Sequence, residues 1–238
     1  MPYTINGIGT SVCGGLGFMD PSFGKPTKWW NKLISGKNFD GIECFVILYI
    51  PFVPLKPIHA FNWQGTAYQR IPLRWSASLV AKTFLRRWIW LIVAGILLYL
   101  SSAVPDLWFA VSCPVLILGA LFLLPFLDKR DQNIRWLLGP HKYGTSDPAT
   151  WVDETVKAMP PAKELYKKNT YAEAVPSFLS MGQYSEAMWA ARLSAAAENR
   201  PEGEKLTDTI LQDPHVQEAL EKVKKDPSNW KTLMGVKR

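Results

Sequence analysis

A long apolar stretch between Arg87 and Asp128 constrains the fold of this chain more than any other feature. These forty residues contain one charge, Asp106, whereas the 111 residues from Asp128 onward carry 17 basic and 16 acidic side chains. An apolar stretch of this length needs either a lipid bilayer or a large surrounding core to keep it from water. The sequence therefore predicts that the apolar stretch and the charged residues after it lie in different environments.

A turn signal divides the apolar stretch into two segments. Pro105 has no amide hydrogen to donate within a helix, and a Pro-Asp pair is typical of a turn. The segments on either side, 88–104 and 107–127, contain 17 and 21 residues. As helices they would extend roughly 26 and 32 Å, close to the thickness of about 30 Å of a hydrocarbon core. The pattern predicts a hairpin of two transmembrane helices, with a buried hairpin in a soluble protein and a re-entrant hairpin as alternatives.

The basic residues beside the apolar stretch predict its orientation. Residues 1–87 hold ten Lys and Arg against three acidic residues, a balance of +7. Lys and Arg next to a membrane span are retained on the cytoplasmic side, so both termini are predicted to be cytoplasmic and the lipid bilayer is an expected partner. Because this explains the basic charge, no nucleic acid partner is expected. The side chains expected at the membrane interface are Trp88, Trp90, Trp108, Trp136, Arg86 and Arg87.

The residues ahead of the apolar stretch have the composition of short β-strands. The segment 43–50 is rich in β-branched and aromatic residues, and 68–73 alternates between polar and apolar residues. Several prolines in this region limit strands to short or edge positions. We expect a juxtamembrane β-module over 1–75, followed over 76–127 by a lead-in helix capped by Ser76 and the transmembrane hairpin.

The residues after the apolar stretch are predicted to be mainly helical. The segment 128–150 is turn-rich and is expected to be a linker, with Asp147-Pro148 starting a helix that runs through Met159. Residues 151–238 are expected to form an α-helical cytoplasmic domain. The predicted fold class is an α+β membrane protein with a small N-terminal β-module, a two-helix transmembrane hairpin and a C-terminal α-helical domain.

The helical tail resembles one unit of a tetratricopeptide repeat. Apolar and small residues recur at helical spacing around a predicted turn at Gly182, and Pro201 falls near the end of the unit. The residues that match the turn and second helix of the repeat are Gly182, Tyr184, Glu186 and Ala187. The match occurs once, whereas a self-sufficient solenoid needs about three repeats. A single amphipathic helix pair is therefore the alternative interpretation.

The front half resembles a recurrent juxtamembrane module of bacterial multi-part membrane proteins, a family of unknown function. The segments that carry this resemblance are INGIGT (5–10), FVILYIPFVPLKP (45–57), YQRIPLRW (68–75) and GTSDPATW (144–151). The resemblance implies a small β-module ahead of membrane helices, and it implies no particular activity. Together with the charge pattern, it predicts a multi-pass protein of the bacterial inner membrane.

The sequence contains no complete motif for catalysis, cofactor binding or metal binding. The glycines between Gly7 and Gly17 fail the dinucleotide-binding spacing because Val12 occupies the third glycine position. The three cysteines have no CxxC spacing and are expected to be free thiols. The three histidines have no HExxH arrangement. We therefore expect no catalytic residue, no cofactor and no metal, and we do not expect an enzyme.

Two functions remain compatible with these features. The favoured one is a membrane-anchored scaffold or accessory subunit of a membrane protein complex, which binds protein partners through its β-module and helical tail. The side chains expected to contact a partner are Trp189, Tyr184, Trp29 and Trp30. If Trp189 does not face a partner, it fills the core of the tail.

The second function is an enzyme or a small-ligand-binding protein with a pocket between the β-module and the bilayer. Its polar candidates are Glu43, His59 and Cys44. The sequence places these residues in or beside predicted strands, and their spacing shows no relation between them.

Overall fold

The structure is a computed structural model that describes residues 4–5, 8–14, 39–47, 50–64, 67–81, 84, 129–141, 143 and 145–235. Within these residues an antiparallel sheet and a set of short helices share one hydrophobic core. Four parts of the chain meet in that core: the inner face of the sheet, the helical segment 77–81 after the sheet, the helix that follows residue 128, and the C-terminal helices.

No helix within the described residues has the length and apolar character needed to span a bilayer. The predicted fold class of an α+β membrane protein with a transmembrane hairpin is corrected on this finding, and so is the multi-pass inner-membrane localisation. The two predicted spans, 88–104 and 107–127, lie outside the described residues.

The sheet is a five-stranded meander in which each strand pairs with the next in sequence. All four pairings are antiparallel. The strands are β1 (Thr4–Ile5), β2 (Ile8–Gly14), β3 (Phe39–Ile47), β4 (Ile50–Gln64) and β5 (Ala67–Pro72). Leu73 extends the sheet by one bridge to Trp151, which joins the end of β5 to the helical part.

The two faces of β3 have different environments. Because successive side chains of a strand point to opposite faces, Ile42, Cys44 and Val46 share the inner face, and all three are completely buried. Phe45 and Ile47 point the other way and are partly or largely exposed. The inner face therefore packs on the core, while the outer face carries apolar residues that the described part of the chain does not cover.

A helix over Lys129–Leu138, here α1, packs between the sheet and the C-terminal helices. Its last five residues, 134–138, are all buried. Ser185 Oγ donates a 2.6 Å hydrogen bond to the Leu137 carbonyl, which satisfies one of the carbonyl groups left free at the helix end. The sequence predicts a turn-rich linker over 128–150. In the structure this segment contains α1, whose buried residues belong to the core.

The Trp136 indole is one of the buried side chains of α1. The sequence predicts this indole at a membrane interface, but it lies in α1 and belongs to the hydrophobic core with only 8% of its surface exposed. In the structure, Trp136 and its neighbours in α1 pack against this chain's own elements.

The C-terminal part contains six further α-helices among its described residues. They are α2 (Asp153–Lys157), α3 (Ala162–Tyr166), α4 (Val175–Ser180), α5 (Tyr184–Ala197), α6 (Arg200–Gln212) and α7 (Pro214–Lys225). Three 3₁₀ helices lie at Pro148–Thr150, Ala172–Ala174 and Pro227–Met234. Ten of the fourteen residues of α5 are buried, so α5 is the central helix around which the others pack.

A capping residue and a turn glycine mark where several of these helices begin or end. Asp147 caps the first 3₁₀ helix, since its carboxylate accepts from the Ala149 amide, but the chain then becomes extended at Trp151 and Val152. The predicted helix from Asp147 through Met159 is therefore interrupted and restarts at Asp153. The predicted helix pair around Gly182 is confirmed as α4 and α5, with Gly182 at a φ of +71°.

The contact between α5 and α6 depends on a glycine. A Cβ atom added at Gly203 would lie 2.3 Å from the Ala195 backbone nitrogen and 2.5 Å from its Cα. Neither atom can move without displacing α5. The small residues that the sequence places in α5 therefore serve the approach of α6.

We expect Gly203→Ala to lower the free energy of unfolding by about 1–3 kcal/mol, measured by urea denaturation, because the added methyl overpacks the contact. Alanine in an ordinary helix interior would instead stabilise by up to about 1 kcal/mol. The matched control is Gly182→Ala, where no atom lies within 4 Å and only the positive φ resists the side chain. A stabilised Gly203→Ala protein would contradict this packing.

Candidate functional site

An exposed apolar surface lies at one end of the sheet. We call this end of the β3–β4 pair the apolar arm; it comprises residues 44–47 of β3 and 50–56 of β4, and its outer face is the exposed surface. Its large exposed side chains are Ile47, Phe52, Val53 and Leu55, with exposures of 37%, 47%, 50% and 40%. Contiguous apolar side chains at the surface are typical of interaction sites, whereas single ones are common and need no explanation.

The register of β3 and β4 explains why these side chains face outward. Phe45 pairs directly with Val53, so their side chains share the outer face of the sheet. The register shifts twice along the arm, between Glu43 and Cys44 and between Phe45 and Val46. Leu55 and Phe52 are the extra residues of β4 at these two shifts. Both residues are exposed, so the bulges add two large apolar side chains to the surface of the arm.

The edge of the arm is unsuited to pairing with another strand. Within the described residues, β5 pairs with β4 only from Ile58 onward, so 50–56 pair with β3 alone. Pro51 and Pro54 lie in this segment and have no amide hydrogen to donate to a further strand. A partner would therefore contact the arm through its side chains and not by strand addition.

A buried polar cluster lies at the opposite end of the same strand pair. It consists of Asp40 on β3, His59 on β4 and Arg135 on α1. Asp40 and His59 are directly paired across the strands, and His59 Nδ1 lies 2.6 Å from Asp40 Oδ1. Arg135 Nη2 donates to Asp40 Oδ2 at 2.5 Å. The cluster therefore joins two strands of the sheet to the helix that packs on it.

The charges of this cluster are arranged to keep Asp40 ionised. Burial alone would raise the pKa of Asp40, but the Arg135 guanidinium and the hydrogen bond with His59 outweigh it and hold that pKa well below its usual value. Burial also opposes the charge on Arg135, yet Asp40 and Asp131 raise the pKa of the guanidinium. Arg135 further donates to Asp131 at 3.1 Å and to the Thr145 carbonyl at 3.4 Å. Asp40 and Arg135 therefore form a buried ion pair with additional hydrogen bonds.

His59 has one ring nitrogen in use and one without a partner. An ionised carboxylate can only accept, so His59 Nδ1 carries the hydrogen that lies between it and Asp40. The other nitrogen, Nε2, is buried and has no hydrogen-bond partner among the described residues. The His59 side chain has no exposed surface. Native proteins rarely leave such a group unpaired, so this nitrogen requires an explanation.

A second polar network connects the helices with one another. Arg192 on α5 donates through two nitrogens to both oxygens of Asp147, at 2.8 and 2.7 Å, and through a third to Glu204 at 2.9 Å. Arg130 on α1 donates to Glu204 at 2.6 Å and to Asp208 at 2.8 Å. This network of ion pairs links α1, α5 and α6. Its charged side chains therefore have a structural role.

Trp189 lies in an aromatic cluster inside the helical part. The ring of His141 stacks on its indole at 4.6 Å between centroids, and Tyr143 lies nearly parallel to it at 5.7 Å. Trp151 contacts Trp189 edge-on at 5.8 Å. The Trp189 side chain is only 4% exposed. The indole therefore fills the core of this chain, which is the second of the two roles that the sequence leaves open for Trp189.

His141 is held in its neutral form beside Trp189. Burial lowers the pKa of His141 to about 4, against the effect of its hydrogen bond to the Ser185 carbonyl. A carbonyl only accepts, so His141 Nε2 carries the hydrogen in this 3.3 Å contact. Glu186 lies 3.9 Å from the same nitrogen, but a neutral imidazole makes no ion pair with it. His141 is therefore a packing residue of the aromatic cluster.

The other predicted site residues have different outcomes. Tyr184 is partly exposed at the start of α5. Glu43 pairs with Arg70 at 2.7 Å on the outer side of the sheet, while Cys44 is buried on the inner face, where its thiol donates to the Ile42 carbonyl at 3.5 Å. The residues that lie outside the described residues are Trp29, Trp30, Trp88, Trp90, Trp108, Arg86 and Arg87.

Sequence reasoning selects His59 but misses its two partners. Asp40 and Arg135 are separated by 95 residues, and no spacing rule relates them. The one available signal is an acidic residue immediately before the apolar run of β3, which predicts a charge that must be paired if the strand start is buried. Among the described residues, no group of three or more His, Cys, Asp or Glu side chains could hold a metal ion.

Comparison with known proteins returns no relative. The chain matches no protein-family model, no curated protein and no solved structure. Its function is therefore argued from the geometry of the apolar arm and the buried polar cluster.

Proposed function

We propose that this chain is a scaffold or accessory subunit that binds another protein through the apolar arm. The observation that carries the proposal is the group of four large hydrophobic side chains on neighbouring positions of the arm, each between 37% and 50% exposed. Fully burying a side chain of this type is worth about 1.5–3 kcal/mol. A partner that covers the arm would therefore gain a substantial part of a stable binding energy.

The rest of the fold supports this use of the arm. The inner face of β3 packs on the core through Ile42, Cys44 and Val46, which holds the outer face in place. At the other end of β3, Asp40 is bound to Arg135 and His59. A surface that is held by its own core loses little conformational entropy when a partner binds it.

Replacing Leu55 with Asp tests the proposal. Tagged full-length protein carrying Leu55→Asp, purified from its own cells, is expected to recover about tenfold less of its co-purifying partner than the unchanged protein. The physical reason is that a charge at the centre of an apolar contact loses the burial energy and adds a desolvation cost. Quantitative mass spectrometry of the purified material measures the effect.

The matched control is Leu165→Asp. Leu165 is also a leucine and also 40% exposed, but it lies on α3 in the helical part. This variant is expected to recover the partner like the unchanged protein, and both variants should unfold at similar urea concentrations. Equal losses for the two variants, or no loss for Leu55→Asp, would rule out the apolar arm as the binding surface.

A further inference from the structure

The charged residues beside the apolar arm indicate which kind of partner fits it. We infer that the protein bound in the proposed function presents an apolar segment with a carboxylate at one end, and that this carboxylate contacts Lys56 and Arg70. This step rests on the proposed function, because it names the chemistry of the partner that the arm binds. The observation behind it is that exposed apolar side chains and two exposed cations lie next to each other on the sheet.

Three charged side chains lie together on the outer side of the sheet, and we call Glu43, Lys56 and Arg70 the charged border. Glu43 and Lys56 are directly paired across β3 and β4, so their side chains share one face. Arg70 on β5 reaches the same place, since its Nη1 donates to Glu43 Oε1 at 2.7 Å. Lys56 follows Leu55 directly in the chain, so the charged border begins where the apolar side chains of the arm end.

The accessible charge of the border is positive. The Arg70 side chain is 56% exposed, whereas the Glu43 side chain is only 15% exposed and is already bound to it. Lys56 is exposed and has no ion-pair partner among the described residues. Electrostatic complementarity favours an opposite charge at such a place and opposes a like one. A carboxylate of the partner is therefore favoured here, and a lysine or arginine of the partner is disfavoured.

The mixture of side chains distinguishes a protein segment from other occupants. Nucleic-acid binding gains its affinity from many phosphate contacts, and Lys56 and Arg70 could neutralise only a few phosphates. The exposed apolar side chains of the arm would gain nothing from a phosphate backbone, but they gain burial energy from an apolar segment. A second copy of this chain bound through the same surface would bring two positive borders into one interface, which opposes association.

Two charge changes of opposite sign test the inferred contact in the full-length protein. Tagged Lys56→Glu protein, purified from its own cells, is expected to recover about threefold to tenfold less partner than the unchanged protein, because an attraction becomes a repulsion. Glu43→Gln removes the carboxylate that competes for Arg70 and is expected to recover about twofold more. The matched control is Lys163→Glu, because Lys163 is an exposed lysine on α3 in the helical part. Its recovery is expected to equal that of the unchanged protein, and all three variants should unfold at similar urea concentrations.

Carbodiimide coupling identifies the group that faces Lys56. This reagent joins an amine directly to a carboxylate in contact with it. The coupling is done on Glu43→Gln protein with its recovered partner, since Glu43 would otherwise compete for the Lys56 amine. Mass spectrometry of the linked peptides is expected to find Lys56 joined to an Asp or Glu side chain of the partner, and to find no such link from Lys163.

Several results would overturn this assignment. If Leu55→Asp loses the partner but Lys56→Glu does not, the proposed function stands and the acidic contact is wrong. A loss of partner in Glu43→Gln, or the absence of a link from Lys56, would also contradict the contact. Binding to phosphatidylserine vesicles that depends on both Leu55 and Lys56, without a protein partner, would mean that the surface binds lipid. Recovery of no partner by the unchanged protein would overturn the proposed function and the acidic contact together.

Discussion

Truncating Trp189 to alanine is expected to lower the free energy of unfolding by about 3–5 kcal/mol, the usual cost of removing a large buried aromatic side chain. Trp189 is 4% exposed and contacts three other rings, those of His141, Tyr143 and Trp151. Its loss would leave a cavity between α5 and the segment that carries these rings. Urea denaturation of the full-length protein measures the change, and limited proteolysis is expected to cut the helical part more rapidly.

The matched control for this change is Trp75→Ala. Trp75 is the same residue type but is 60% exposed, so its truncation should alter stability by no more than about 0.5 kcal/mol. The two variants also separate the two roles that the sequence leaves open for Trp189. A stable, protease-resistant Trp189→Ala protein that has lost a partner would show that the indole faces another molecule and would contradict its place in the core.

Replacing Arg135 with alanine is expected to destabilise the protein by about 3–5 kcal/mol, because it leaves one member of a buried ion pair without its counterion. Arg135 donates to Asp40, Asp131 and the Thr145 carbonyl, so its removal strands the Asp40 carboxylate between the sheet and α1. The loss of stability should appear as a lower urea midpoint with a similar slope.

Arg130→Ala is the control for this prediction. Arg130 is also an arginine of α1 with two carboxylate partners, but its side chain is 45% exposed. Exposed ion pairs contribute about 0–1 kcal/mol, so the loss should be several-fold smaller than for Arg135→Ala. Similar losses for the two arginines would mean that the Asp40–Arg135 pair is not buried as described.

The sequence predicts the positions of several elements but not the contacts between them. Its β-branched and aromatic residues predict a strand near 43–50, and the structure places β3 at Phe39–Ile47. The prolines of β4 are expected to break it into short pieces, yet the strand continues from Ile50 to Gln64 because two bulges absorb the irregular pairing. Composition predicts strands, but it does not predict where a register shifts.

The helix α1 shows why a local pattern can mislead. Its apolar residues cluster near its end, directly after a long apolar stretch, so they suggest a membrane-proximal linker with Trp136 at an interface. In the structure they pack against the sheet and α5. Only the tertiary contacts, which no periodicity encodes, distinguish an indole in a core from an indole at an interface.

The candidate sites differ in how far the sequence reveals them. The run FVILYIPFVPL has apolar residues at both odd and even positions. This pattern predicts strands whose two faces are both buried from water. The buried polar cluster has no such signal, because Asp40 and Arg135 come together only when the sheet packs on α1. Trp189 is intermediate between these two sites. Helical spacing predicts that its side chain is buried, but not whether this chain's own core or a partner protein buries it.

Photocrosslinking from Phe52 tests the partner-binding role of the apolar arm most directly. A benzophenone amino acid placed at Phe52 and, in a separate protein, at Met181 would probe two exposed apolar positions, 47% and 53% exposed, on different parts of the fold. Illumination of intact cells is expected to give one discrete protein adduct from position 52 and none from position 181. The absence of an adduct at position 52, or the same adducts from both positions, would contradict the apolar arm as the surface that binds a partner.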